Sequence, residues 1–213
     1  MSLNILSEIL TNIGKKHDLS CDLYMQRSTG HFITIEGGRV EELAHGTIEG
    51  CGFRILRGNE TYFMHTHRTT ANRAIRLICN TIEPLGIKVK LPSAISEEPL
   101  ITTGGGEISQ IDSEPLRNLE KVILNESKYI KKVTLKLSTS QKEIAIVASN
   151  GNLVQEVRYL TRFAAQVIVE SDGKLFSGYN ASGYSVPLDR FLKLANIGST
   201  ALSAAKKALL GLE

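Results

Sequence analysis

The stretch "ITIEGGRVEE", Ile33 to Glu42, is an apolar strand, a glycine pair and a second strand with its carboxylates on the outgoing arm. A glycine pair between alternating runs marks a tight β-hairpin, because both central residues can take positive φ. Further along, "AIVASNGNLVQE", Ala145 to Glu156, repeats the plan: Gly38 falls on Gly151, and "VEE" at 40–42 falls on "VQE" at 154–156. The next turn keeps step, Gly58-Asn59 falling on Asp172-Gly173. Two turns and a strand ending at nearly one offset predict an internal duplication.

Working outward, Leu3, Leu6, Leu10 and Ile13 recur at helical spacing and predict an amphipathic helix over 2–14, stopped by Gly14. Short strands follow, "CDLYMQR", "HFITIE", "RVEELAH", "GCGFRIL" and "ETYFMHT", separated by turn residues and read as an antiparallel meander. Thr69 or Thr70 can cap a second helix with an apolar face of Ala71, Ala74, Ile75, Ile78 and Ile82, ended by Pro84 and Gly86. Residues 86–114 carry prolines and the triplet Gly104-Gly105-Gly106, as a linker would. The programme then restarts. Pro115 opens a helix with Leu116, Leu119, Val122 and Ile123 on its buried face. The strands "KKVTLKLST", "EIAIVAS", "NLVQEVRYL", "RFAAQVIVE" and "KLFSGY" come next, and a last helix from about 188 to 210 buries Phe191, Leu194, Ile197, Ala201 and Ala205. The expected fold is α+β, a duplicated helix/antiparallel-sheet/helix unit, with pseudo-repeats at about 2–85 and 115–210 and a linker at about 86–114.

At 213 residues and 42% hydrophobic content the chain can bury a core unaided. Twenty-five Lys and Arg against 22 Asp and Glu leave a net charge of +3 without the strong basic block of a nucleic-acid binder. Cys21, Cys51 and Cys79 form no CxxC pair and fit reduced thiols. The first residues lack the charged start and apolar run of a signal peptide, and no segment reaches the roughly 20 apolar residues of a membrane span. A soluble, cytoplasmic protein is expected.

Candidate chemistry is sparse. There is no HExxH, and the one tight imidazole pair is His65-Thr66-His67. On a strand these two share a face and could share a metal with a third ligand from elsewhere; the plainer reading is a polar strand end before a helix cap. No GxSxG, GxGxxG or GxxxxGK[ST] occurs, and the glycine triplet suits a flexible linker. Cys51 suits a small core residue better than a nucleophile. Glu36, Glu41, Glu42 and Glu49 gather near the first hairpin, as an acid/base pair or as a solvated face. Lys128, Lys131, Lys132 and Lys136 surround Tyr129, either to touch phosphates or to guard a strand against edge aggregation. "DGKLFSGYNASGYSVPLD", 172–189, is read as a glycine- and tyrosine-rich loop that lines a peptide groove or interface, or that covers a core edge. Arg158, Gly178, Tyr179 and Tyr184 are the candidate peptide-binding or interface residues.

"DLYMQRSTGHFITIEGGRVEELAHGTIEGCGFRILRGNETYFMHT" at 22–66 resembles the first segment of the TldD/PmbA family, and "VASNGNLVQEVRYLTRFAAQVIVESDGKLFSGYNASGY" at 147–184 resembles its second. These proteins, once called modulators of DNA gyrase, are metallopeptidases and their paired subunits. The resemblance follows the element order from about residue 2 to 210. It implies the family's N-terminal domain, which helps enclose the catalytic chamber and takes part in dimer contacts. Active members carry a histidine-glutamate-histidine zinc motif in the half that follows, so no zinc ligand maps onto this chain and no catalytic residue is assigned. The resemblance thus implies a non-catalytic domain or split subunit, inactive alone, of a peptidase assembly acting on unfolded or modified peptides, with a like or paired subunit as partner. The alternative is a binding module for nucleic acid or gyrase through Lys128 to Lys136.

Overall fold

The computed structural model describes residues 3–90, 100–101 and 110–212. Helix α1 (Leu3–His17) is followed by strands β1 (Ser20–Glu36), β2 (Arg39–Arg57) and β3 (Glu60–His67) and by helix α2 (Ala71–Ile82). The same order returns as α3 (Glu114–Asn125), β4 (Ile130–Ala148), β5 (Leu153–Ser171), β6 (Lys174–Tyr184), α4 (Leu188–Leu194) and α5 (Ile197–Leu210). The fold is α+β, and its antiparallel sheet has six strands in the order β3-β2-β1-β4-β5-β6. The glycine triplet and most of the expected linker lie outside the described residues. Within that stretch Ile87, Leu100 and Ile101 are nevertheless buried, and the Leu100 N–H donates to the Thr69 carbonyl at 2.8 Å.

Two compact units form, neither continuous in sequence. The first contains 1–28, 47–106 and 142–157; the second contains 29–46, 107–141 and 158–213. Each therefore includes the tip of a hairpin that belongs to the other half of the chain. In the first unit α1 and α2 bury Leu6, Leu10, Ile75 and Ile78 in one cluster with Leu23, Met25, Phe53 and Ile55 of the sheet. In the second, α3, α4 and α5 bury Leu116, Ile123, Phe191 and an alanine face with Ile33, Ile35, Phe163 and Val167.

Four strands are far longer than expected. The breaks expected between "CDLYMQR" and "HFITIE" and between "RVEELAH" and "GCGFRIL" are absent, because β1 and β2 run straight through them as strands of 17 and 19 residues. β4 shows why. Its inward positions Val133, Leu135, Leu137, Thr139, Gln141, Glu143, Ala145 and Val147 are all buried, so the two-residue period never breaks although its hydrophobicity does. Of the polar members, Thr139 finds its partner on β5: the Thr139 and Thr161 hydroxyls lie 2.9 Å apart, and Thr161 in turn donates to the Val186 carbonyl at 2.8 Å. β4 lies between β1 and β5, so its lysines guard no edge.

Other expectations need correction. Gly14 does not end α1; the helix continues to His17, Asp18 takes the left-handed conformation (φ 50°), and the Leu19 N–H returns to the Gly14 carbonyl at 3.2 Å. Gly14 is instead a close approach, where a Cβ would sit 2.8 Å from that of Ser149. Thr70 does cap α2, its side chain accepting from Arg73 N at 3.4 Å. The last helix is two, broken where Ala195 is extended and Asn196 caps α5 by accepting from Ser199 N at 2.8 Å. Leu194 and Val122 are exposed rather than core, and most of the presumed loop at 172–189 is strand β6.

At the tip of the first hairpin, Gly37 and Gly38 have φ of 62° and 76°, the geometry the glycine pair predicts. The Gly38 N–H donates to Glu120 Oε2 of α3 at 2.8 Å, and Glu120 is buried. A hydrogen bond to a charged acceptor is worth about 1.5–3 kcal/mol, and truncation would also orphan the amide. Glu120→Ala is therefore expected to destabilise the second unit by about 2–3 kcal/mol, with Glu120→Gln recovering part of the loss. Urea unfolding monitored at the Gly38 amide by NMR checks this.

Candidate functional site

The first unit carries a groove of about 450 Å³. It is made by absent side chains. Gly50 and Gly52 of β2 stand opposite His67 and His65 of β3, so the middle strand is bare between its neighbours. The Phe63 ring lies across Gly52, where an added Cβ would come within 2.9 Å of it, and stacks on His65 with centroids 6.0 Å apart. Tyr24 and Gln26 of β1 form the other wall, and Asp22 accepts Arg54 Nη2 and Nε at 2.7 and 2.9 Å.

His65 and His67 share this groove, as their spacing requires. Asp22 beside them is occupied by Arg54, and no cluster of three or more His, Cys, Asp or Glu able to hold a metal is found among the described residues. Cys51 faces the core, and burial pushes its thiol up to about 11, which leaves it protonated and unreactive at neutral pH.

The second unit carries a smaller groove of about 290 Å³. Thr134, Lys136 and Ser138 enter it from β4, Arg162, Ala164 and Gln166 from β5, and Tyr179 from β6, with Phe32 of β1 on the far side. Arg162 Nη2 donates to Tyr179 Oη at 2.6 Å. Beside it Glu36 accepts from Lys132 Nζ at 2.7 Å and from Thr134 Oγ1 at 2.7 Å. These bonds, that to Lys132 first, hold the Glu36 carboxyl below its ordinary range, so it is no proton donor near neutrality.

The sign of the resulting pH dependence follows. A carboxyl with a depressed folded-state pKa stabilises the fold above its unfolded value, and that contribution is lost as pH falls through the folded pKa. Lys132→Met is expected to raise the Glu36 pKa toward its ordinary 4.5. The stability difference from the parent should stay under about 1 kcal/mol, because the pair is partly exposed and screened, and should vanish in acid. Carboxyl-detected NMR titration and urea unfolding between about pH 7 and 3 read both effects.

The sequence-derived candidates do not assemble into one site. Tyr179 lies in the second groove and is half exposed. Gly178, one residue earlier, faces the opposite way and is buried where α5 crosses β6; an added Cβ would collide with the Ala204 carbonyl and the Ala208 amide. Tyr184 packs on Phe191 of α4 with ring centroids 5.9 Å apart, on the helix side. Arg158 is exposed on β5, before the point where β6 begins to pair at Thr161. Lys136 drew attention only as part of a basic run, and Arg162 none. The available signal was strand alternation along "RYLTRFAAQ", which places Arg158, Arg162 and Gln166 on one face.

Two strand segments lie beyond the register of their hairpin partners. Among the described residues the β2–β3 register runs from Gly50 to Arg57 and does not extend over 39–48, while the Glu49 carbonyl accepts from the Arg68 N–H at 3.4 Å. Among the described residues the β5–β6 register runs from Thr161 to Ser171 and does not extend over 153–160. These segments expose Leu43, Ile48, Val154, Val157 and Leu160.

An antiparallel six-stranded sheet with helices, and a groove in each compact unit, define an α+β fold. The profile of the PmbA/TldA metallopeptidase central domain matches residues 95–212, more than half the chain, and that of PmbA/TldA metallopeptidase domain 1 matches residues 21–83. The chain belongs to the PmbA/TldD family. The "Metalloprotease TldD homolog" of Haemophilus influenzae is 27% identical over 199 residues, covering 88% of this chain and 41% of that protein. A protein of the same description from Buchnera aphidicola subsp. Schizaphis graminum is 24% identical over 173 residues, covering 76% of this chain and 35% of its own length. The chain thus spans less than half the length of these relatives. In fold it is similar to TldE of Thermococcus kodakarensis (TM-score 0.71, 11% identity, covering 97% of this chain and 46% of that one). It is also similar to a modulator of a DNA gyrase from Thermotoga maritima (TM-score 0.66, 14% identity, covering 98% and 48%). No helix among the described residues is long and apolar enough to cross a membrane.

Proposed function

We propose that this chain is a non-catalytic, peptide-engaging part of a TldD/PmbA-type metallopeptidase assembly, acting on unfolded or modified peptides and contacting a like or paired subunit of its family. The observation that carries the reading is the stretch of β2 over 39–46, which lies beyond the described β2–β3 register and exposes Leu43. An extended peptide can add to such an edge through its backbone, which gives affinity with little demand on sequence. Strand edges of this kind are otherwise an aggregation hazard, so a normal occupant also accounts for their survival. In this reading zinc belongs to active relatives, in parts of the family that this chain does not span, and no catalytic step is assigned to residues here.

The gyrase-associated alternative has less support. Lys132 is paired with Glu36, Lys128 lies 5.1 Å from the Tyr129 ring centroid, and neighbouring Lys131 and Lys132 alternate across the strand. The run therefore presents no continuous track for a phosphate backbone.

Fluorescence anisotropy with a labelled unstructured decapeptide tests the proposal. Saturable binding that survives scrambling of the sequence, but is lost when alternate backbone nitrogens are methylated, is the expected result. No binding up to about 1 mM, the weak end of useful affinities, or binding indifferent to N-methylation, would overturn it.

A further inference from the structure

We propose that Lys136, Arg162 and Tyr179 form a binding site for a small oxyanion, a carboxylate or a phosphate, in the groove of the second unit. This goes beyond peptide addition at a strand edge and does not depend on it. The groove brings two cations to one concave surface of about 290 Å³, and no carboxylate is among its lining residues. Neither cation is ion-paired among the described residues. Glu36, a carboxylate that Lys136 influences through space, is already engaged by Lys132 and Thr134. Lys136 thus lines the groove with no ion-pair partner among the described residues.

Arg162 and Tyr179 complement each other. The Arg162 guanidinium donates to the tyrosine oxygen, so the phenolic proton is free to point away from it. The remaining guanidinium N–H groups, the ammonium of Lys136 and the phenol then offer donors of one kind to an incoming group that only accepts. A guanidinium fork matches the geometry of carboxylate and phosphate oxygens, and a charged donor forms the stronger bonds. Ala164, between Arg162 and Gln166 on the same strand face, leaves room for the ligand, while Ser138 and Gln166 supply neutral polar contacts at the margin.

The matching groove of the first unit makes the charge selective. Gly52 pairs with His65 on its hairpin as Gln166 pairs with Tyr179 on the other. There the groove is lined by Asp22 and Glu49, and its arginine, Arg54, is neutralised by Asp22. The same position in the hairpin thus carries an acidic, imidazole-bearing groove in one unit and an unneutralised basic groove in the other. Only the second is expected to bind anions.

The test is NMR titration of the 213-residue chain with inorganic phosphate, N-acetylalanine and N-acetylalanine amide at low ionic strength. The expected result is saturable shifts at Lys136, Arg162 and Tyr179 with phosphate, with N-acetylalanine or with both, and none with the amide. Phosphate alone would identify a phosphate-type ligand, and N-acetylalanine alone a chain-terminal carboxylate. Arg162→Gln should weaken binding at least tenfold and Tyr179→Phe a few-fold, with the fold unchanged by circular dichroism. Equal affinity for the amide, shifts confined to the first-unit groove, no saturation by either anion, or undiminished binding in both Arg162→Gln and Lys136→Met would overturn the proposal.

Discussion

Gly178→Val is expected to dislodge helix α5 and destabilise the second unit by more than about 4 kcal/mol, beyond the ordinary range for a single substitution. Overpacking of side chain against side chain usually costs about 1–3 kcal/mol because rotamers can adjust. Here the colliding atoms are the backbone carbonyl of Ala204 and the backbone of Ala208, which cannot rotate aside. The helix reaches this distance because four of its five buried residues, Ala201, Ala204, Ala205 and Ala208, are alanines, the fifth being Thr200. Its removal would expose Phe163 and Val167 in the same cluster. Gly183→Ala is the control: the nearest atom to its added Cβ is the Thr161 carbonyl oxygen at 3.5 Å, an ordinary contact. Urea unfolding and hydrogen exchange across α5 read the difference, and equal stability of the two variants would rule out the close approach.

Phe53→Ala should cost the first unit about 3–5 kcal/mol, the range for emptying a buried aromatic site. Phe53 is completely buried, in the cluster that α1 and α2 form over β1 and β2. Its strand neighbour Gly52 faces the opposite way, under the Phe63 ring. Settling of β2 into the cavity would therefore also disturb the outer groove. Loss of stability in urea, accompanied by shifted His65 and His67 imidazole signals, is the expected pair of results; Phe53→Leu should recover most of both.

The parts of the fold that were legible in the sequence are those encoded by neighbours along the chain. α2 reads correctly from Thr70 to Ile82 because its cap and its apolar face lie within a few turns. The Gly37-Gly38 turn reads correctly because positive φ at two successive positions restricts the residue types. Strand length was not legible. Thr139, Gln141 and Glu143 lower the local hydrophobicity of β4 and imitate a turn, yet all three are buried at inward positions of an uninterrupted strand. Gly14 is ambiguous for a related reason: a glycine that permits close approach has the same letter as one that ends a helix.

For the candidate sites the sequence placed residues on faces, and where its strand boundaries held, it placed them well. His65 and His67 share a groove as alternation demands. Gly178 and Tyr184 were grouped with Tyr179 because the segment was read as a loop, and once it is a strand they turn toward the helices and away from Tyr179. Glu120 was invisible as a structural residue. A carboxylate on a helix reads as solvent-facing, and its partner is the amide of Gly38 on the distant first hairpin.

By itself, then, the amino-acid sequence determined the α+β class, the recurrence of helix, sheet and helix, the tight first hairpin and the family resemblance, all of which rest on short-range periodicity and turn chemistry. Only the tertiary structure decided that β1, β2, β4 and β5 each contribute to both compact units, and that Lys136, Arg162 and Tyr179 converge on one groove. The reason is physical. Strand pairing joins residues far apart in sequence through backbone hydrogen bonds that every residue type can make, so register and neighbour are fixed by the packing of the whole sheet and not by any local run of side chains.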